Sequence, residues 1–232
     1  MNTWFVRFIT SSIGKKVVMA LTGLFLISFL IIHLIGNLQL LSGAGGQAFN
    51  EYAYFMTHNP LIKATSYGLY GSILLHAIQG LLLWMKNSQA RGSQGYAVKA
   101  NRTAGASKAS YRMGAIGTVI LIFIIIHLIQ FWYQTHWGSA IETVSYEGGE
   151  HPVNDLYKLV AFTYTNIWMV VFYVVCMCFV GFHLWHGFES AFQTLGLSHK
   201  KWTPLVKFVG RVLSVALAAG FAIIPIWMYL NQ

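Results

Sequence analysis

Five of the nine histidines fall inside long apolar stretches: His33, His76, His127, and the pair His183 and His186. Imidazole is costly to bury in hydrocarbon, and its two nitrogens equip it there to relay protons or to hold a metal. A single such histidine is commonly a hydrogen-bonded packing residue. One in each of four separate stretches is a repeated placement that packing does not require. His58, His136, His151 and His199 fall in loops or at the ends of apolar stretches and read as solvated.

The elements that must position these side chains follow from composition. Hydrophobic residues make up 56% of the 232-residue chain and charged residues 9%, against about 25% charged in an average soluble domain. That deficit excludes an ordinary soluble enzyme domain and a disordered tail. A membrane-spanning helix needs about 20 apolar residues, and five stretches qualify: about 17–41, 61–85, 113–137, 159–188 and 205–230. They leave short connections and a single membrane domain, with no cleavable signal expected ahead of the first span. Cys176 and Cys178, two apart in an apolar run, exclude a disulfide framework and a CxxCH haem attachment and read as small packing residues.

Charge sets the expected orientation. Arg7, Lys15 and Lys16 precede the first span. Lys86, Arg91, Lys99, Arg102, Lys108 and Arg112 lie between the second and third, and Lys200, Lys201, Lys207 and Arg211 between the fourth and fifth. Those are 13 of the 15 basic residues. The other side holds Lys63 and Lys158 with Glu51, Glu142, Glu147, Glu150 and Asp155. The net charge of +9 therefore reads as membrane asymmetry, not nucleic-acid binding, with the N-terminus cytoplasmic and the C-terminus outside.

Depth can then be counted from the charged edges at 1.5 Å per residue. His33 lies about 25 Å beyond Lys16 and His127 about 22 Å beyond Arg112. His76 lies about 15 Å before Lys86 and His183 about 9 Å before Glu189. The four fall into an outer level, His33 with His127, and an inner level, His76 with His183. Two imidazoles at one depth on facing helices are what a haem iron with two axial histidines requires. Small residues flank the histidines, as a bulky macrocycle would need: Gly36 and Asn37 after His33, Ser72 and Gly80 around His76, Gly114 and Gly117 before His127, and Gly187 four after His183. Within the fourth span, His183 is the deeper of two candidates. His186, near the interface, would donate to a haem propionate or face water.

Read together, these features resemble the dihaem cytochrome b membrane anchor of succinate:quinone oxidoreductases, the succinate dehydrogenases and fumarate reductases. The resemblance covers essentially the whole chain. It is strongest in Ser11-Ser12-Ile13-Gly14-Lys15-Lys16, Thr22-Gly23-Leu24, His33-Leu34-Ile35-Gly36-Asn37-Leu38 and His183-Leu184-Trp185-His186-Gly187-Phe188. It implies an all-α membrane protein with five transmembrane helices, the first four bundled around two stacked b haems. His33 and His127 would ligate the outer iron, and His76 and His183 the inner. It also implies a bacterial cytoplasmic membrane location. A flavoprotein subunit with FAD and an iron–sulfur subunit would dock on the cytoplasmic side, where the basic loop from Lys86 to Arg112 is available. This chain would hold the quinone site and no dicarboxylate site. One departure stands out: where some dihaem members carry a glutamate two residues before the fourth-span ligand, this chain has Gly181, so the associated proton path is not implied here.

Dihaem anchors tend to handle menaquinone near the outer haem. Candidates at that level are Glu51, His58, Asn37 and Tyr54, with Gln39, Gln130, Tyr133 and His136 nearby; a carboxylate or imidazole there would exchange quinone protons. Ser12 and Lys16 resemble the inner quinone site of haem-poor relatives and form the alternative. Two other readings compete: the cytochrome b subunit of a hydrogenase or formate dehydrogenase, and a haem-free transporter using histidines as proton relays.

Overall fold

The computed structural model describes residues 3–42, 45–91, 108–138, 141–147 and 151–231. Lys99, Arg102 and Glu150 fall outside them, as does most of the loop expected to receive partner subunits. Five helices are long and apolar enough to cross a membrane, over Ser12–Leu41, Pro60–Gln89, Arg112–Trp137, Ile167–Thr194 and Thr203–Leu230. The best-buried of them has only 28% of its apolar window inside the protein. Residues such as Leu74, Ile122, Phe182 and Phe208 point outward, as expected where the solvent is lipid.

In chain order, α1 (Trp4–Thr10) leads into α2 (Ser12–Asn37), followed by a 3-10 turn (Leu38–Leu41), α3 (Gln47–His58) and α4 (Pro60–Arg91). Then come α5 (Lys108–His127), a π-helical turn (Leu128–Tyr133), α6 (Gln134–Trp137) and the two-residue strands β1 (Thr143–Val144) and β2 (Val153–Asn154). The chain ends with α7 (Leu156–Thr163), α8 (Ile167–Thr194) and α9 (Thr203–Leu230). The all-α expectation holds apart from this antiparallel pair, registered Thr143 with Asn154 and Val144 with Val153.

Local chemistry moves two span boundaries away from the hydropathy reading. The first helix begins at Ser12 because Ser11 caps it, its Oγ accepting from Gly14 N at 2.9 Å; Ser12, Lys15 and Lys16 are therefore helical. The fourth apolar stretch is two helices. Its first part is α7, and Asn166 starts α8 by accepting from Trp168 N at 2.9 Å. Hydropathy alone does not register such a cap. At the other end α8 runs past Glu189 to Thr194. Glu189 pairs there with Lys207 at 2.9 Å. His183 sits 11 residues before the end of α8, about 16 Å of helix.

The fifth span is an integral wall, packed along α8 and reaching α2. Small residues allow the approach: a Cβ on Gly210 would lie 2.7 Å from Phe188, and one on Gly220 2.7 Å from Leu34. Buried Ser214 satisfies its hydroxyl on the Gly210 carbonyl at 2.6 Å. Cys176 is buried and Cys178 exposed, both free.

The end of the bundle that carries α3 and the strand pair is strapped by Asn50, which is 1% exposed. Its Nδ2 donates to Tyr146 Oη at 2.8 Å and Asp155 Oδ1 at 3.0 Å, and its Oδ1 accepts from Tyr157 N at 2.9 Å. One side chain thus ties α3 to the hairpin region and to α7. Gly46, at φ +83°, precedes α3 in the left-handed region, and a Cβ there would run into the Tyr157 ring.

Candidate functional site

The four histidines expected to act converge in two pairs. His33 on α2 faces His127 at the end of α5, ring centroids 6.0 Å apart and planes at 86°. His76 on α4 faces His183 on α8 at 6.2 Å and 74°. The ring of His183, not that of His186, meets His76.

The spacing can be tested against a shared metal. Imidazole nitrogen binds a transition metal at about 2.0–2.1 Å, and the ring centre lies ~1.1 Å farther out, so two rings on opposite sides of one ion have centroids about 6.3 Å apart. Both pairs match. A facing pair is also the donor set suited to iron whose equatorial positions a macrocycle fills; bare zinc takes three or four protein ligands. His183 Nδ1 is buried with no hydrogen-bond partner among the described residues. The residues fit the group.

The other ring nitrogens are held by neighbours. Asn37 Nδ2 lies 3.2 Å from His33 Nδ1 and 2.7 Å from the His33 carbonyl. Asn37, a candidate for quinone contact by sequence, thus has its amide turned to the histidine. Thr22 Oγ1 lies 3.2 Å from His76 Nδ1. Tyr173 Oη lies 3.4 Å from His127 Nδ1 and 2.6 Å from Gln130 Oε1. Gln130 belongs to the wide π turn that directly follows His127; such turns recur at functional sites. Tyr173 was not among the residues singled out by sequence. The available signal was a phenol inside an apolar span, which needs a polar partner when buried.

The glycines divide differently from their sequence neighbours. Gly117 lies beside His183, a Cβ there being 3.9 Å from Cε1, although it precedes His127 in the chain. Gly23 abuts His76, with a Cβ 3.2 Å from Cε1. Gly114 receives the Trp84 ring and Gly36 the Tyr52 ring, so these two serve helix packing.

At the end of the bundle strapped by Asn50, Glu51, Tyr54 and His58 lie on one stripe of α3. Tyr54 stacks on His58 with centroids 3.9 Å apart, and His151 lies 6.0 Å from Tyr54. Gln47 donates to Glu51 Oε1 at 2.8 Å. Ser12 and Lys16 sit exposed at the opposite end, in the first turns of α2.

No family model, curated protein or solved structure matches the chain.

Proposed function

We propose that the chain is the membrane anchor and electron-transfer subunit of a succinate:quinone oxidoreductase, carrying electrons between a cytoplasmic flavin and iron–sulfur unit and membrane quinone, menaquinone in this reading. One observation carries it: four histidines from four spans meet as two facing pairs, 6.0 and 6.2 Å apart between ring centres. His33 with His127 and His76 with His183 would hold two b haems. Each haem, when bound, supplies a one-electron carrier whose iron takes both axial ligands from this chain.

The protein's own residues orient the imidazoles, keep bulk water from them and leave polar groups at the outer end. There the stripe of Glu51, Tyr54 and His58 is the proposed quinone site. Glu51 would exchange protons through its carboxylate and His58 through its imidazole. Ser12 and Lys16 remain the competing inner site. The basic residues flanking the second and third spans support a cytoplasmic N-terminus and a docking face for the partner subunits on that side.

A dithionite-reduced minus oxidised spectrum with pyridine haemochrome quantitation tests this directly. Two b haems per chain, copurifying with flavin and reducible by succinate, are expected. Absence of a Soret band would leave the transporter reading, and copurifying nickel or molybdenum the hydrogenase or formate dehydrogenase reading. Orientation is checked with Ser145→Cys, expected to react with an impermeant reagent in intact cells, and Ser88→Cys, expected to be protected.

A further inference from the structure

We propose that Thr22 and Tyr173 are positioning residues that hold His76 and His127 in one tautomer, each acting across from the layer its own helix ligates. The proposal rests on the two-pair reading above and assigns the residues that tune it.

Proton counting gives the direction of each hydrogen bond. Threonine has one O–H. Thr22 commits it to the Val18 carbonyl at 2.8 Å, with the Met19 carbonyl a second acceptor at 3.2 Å. Its oxygen lone pairs are then free to accept from His76 Nδ1, 3.2 Å away, beside the Met19 backbone carbonyl that also hydrogen-bonds this ring. Tyr173 likewise donates its only proton to Gln130 Oε1 at 2.6 Å, and its oxygen accepts from His127 Nδ1 at 3.4 Å, a long contact by usual standards. In each histidine the proton sits on Nδ1, so Nε2 keeps its lone pair for the metal.

The arrangement crosses between layers. Helix α2 gives His33 to the outer pair and Thr22 to the inner. Helix α8 gives His183 to the inner pair and Tyr173 to the outer. Thr22 lies 11 residues before His33 and Tyr173 10 residues before His183. These spacings correspond to about 16 Å and about 15 Å of helix. Two helices running in opposite directions thus measure the same separation between the layers. The same threonine is followed by Gly23, whose missing side chain admits the His76 ring.

An acceptor on Nδ1–H makes the ring a stronger donor and favours the more oxidised metal. Removing it should raise the midpoint potential of that centre alone. Optical redox titration of the purified complex reads this. Thr22→Val should raise the inner centre and spare the outer, with Thr22→Ser restoring the original value; Tyr173→Phe should raise the outer and spare the inner. A tenfold change in oxidised-over-reduced preference corresponds to about 59 mV for a one-electron couple. Neither centre moving, both moving together, or Thr22→Ser behaving as Thr22→Val would overturn the proposal. Histidine-selective 15N NMR of the full-length wild-type chain supplies a second readout, independent of variant folding and of haem. Protonated Nδ1 is expected at His76 and His127, and protonated Nε2 at either would overturn the assignment. A chain without haem would defeat the proposed function, while the NMR still decides the tautomers.

Discussion

A Cβ on Gly181 of α8 would come within 3.0 Å of the Ala218 Cβ on α9, with the Ser214 carbonyl oxygen 3.7 Å away. The position where some dihaem anchors carry a glutamate is here a helix–helix contact. Gly181→Ala should lower stability by about 1–3 kcal/mol through overpacking, and Gly181→Glu should block assembly. Gly71, with nothing within 4 Å of its would-be Cβ, is the comparison: Gly71→Ala should be neutral or slightly stabilising. Thermal unfolding in detergent, followed by near-UV circular dichroism, ranks the three.

Replacing a histidine should empty one layer at a time. His76→Ala or His183→Ala is expected to reduce haem from two per chain to one and to retain the outer centre. His186→Ala should retain both, because the His183 ring is the one that meets His76. Haemochrome quantitation decides between them, and loss of the inner haem in His186→Ala with its retention in His183→Ala would reverse the assignment.

Quinone turnover separates the two ends of the bundle. Glu51→Gln and His58→Ala should each lower succinate:quinone activity by about a hundredfold or more, the scale of a lost general acid or base. Both haems and dye-linked succinate oxidation should be unchanged. If the reaction occurs at the inner end, Ser12→Ala or Lys16→Met produces that loss instead.

Asn50 carries the strongest structural prediction at the end of the bundle that holds α3. Asn50→Ala strands Tyr157 N and removes the amide that reaches Tyr146 and Asp155. The expected cost is about 1–3 kcal/mol, the usual penalty for an unsatisfied buried group, visible as faster proteolysis of the segment around the hairpin.

Lys158 and Glu142 meet at 2.7 Å on the exposed rim of the same surface. The hydrogen bond to Glu142 holds the ammonium above its usual pKa, with the charges of Glu142 and Asp155 adding to it. Because the folded-state value is the higher one, the contribution is present below the ordinary lysine pKa of 10.5 and is lost as pH rises through the folded value. Lys158→Met should therefore differ from wild type only slightly at pH 7, since solvent screens the pair. That difference should vanish at strongly alkaline pH, read by melting temperature across the two conditions.

The chain alone determined five helices long and apolar enough to cross a membrane, as hydrocarbon admits backbone only when its polar groups bond within the segment. It also determined which histidines share a depth, because rise per residue is constant. Depth places His33 with His127 and His76 with His183, and the rings meet in those pairs. What depth does not contain is azimuth. Gly117 precedes His127 in sequence yet lies beside His183, and Gly36 and Gly114 admit Tyr52 and Trp84; the rotation of each helix about its axis decides such contacts. The break before Ile167 likewise depends on an Asn166 side chain folding onto the Trp168 N–H, invisible to an apolar window. Tyr173 reaches His127 at 3.4 Å and also donates at 2.6 Å to Gln130, which lies in the π turn after His127. These contacts join residues 43 and 46 positions apart on different helices, so only the tertiary structure could assign Tyr173 and Gln130 to the His33–His127 pair.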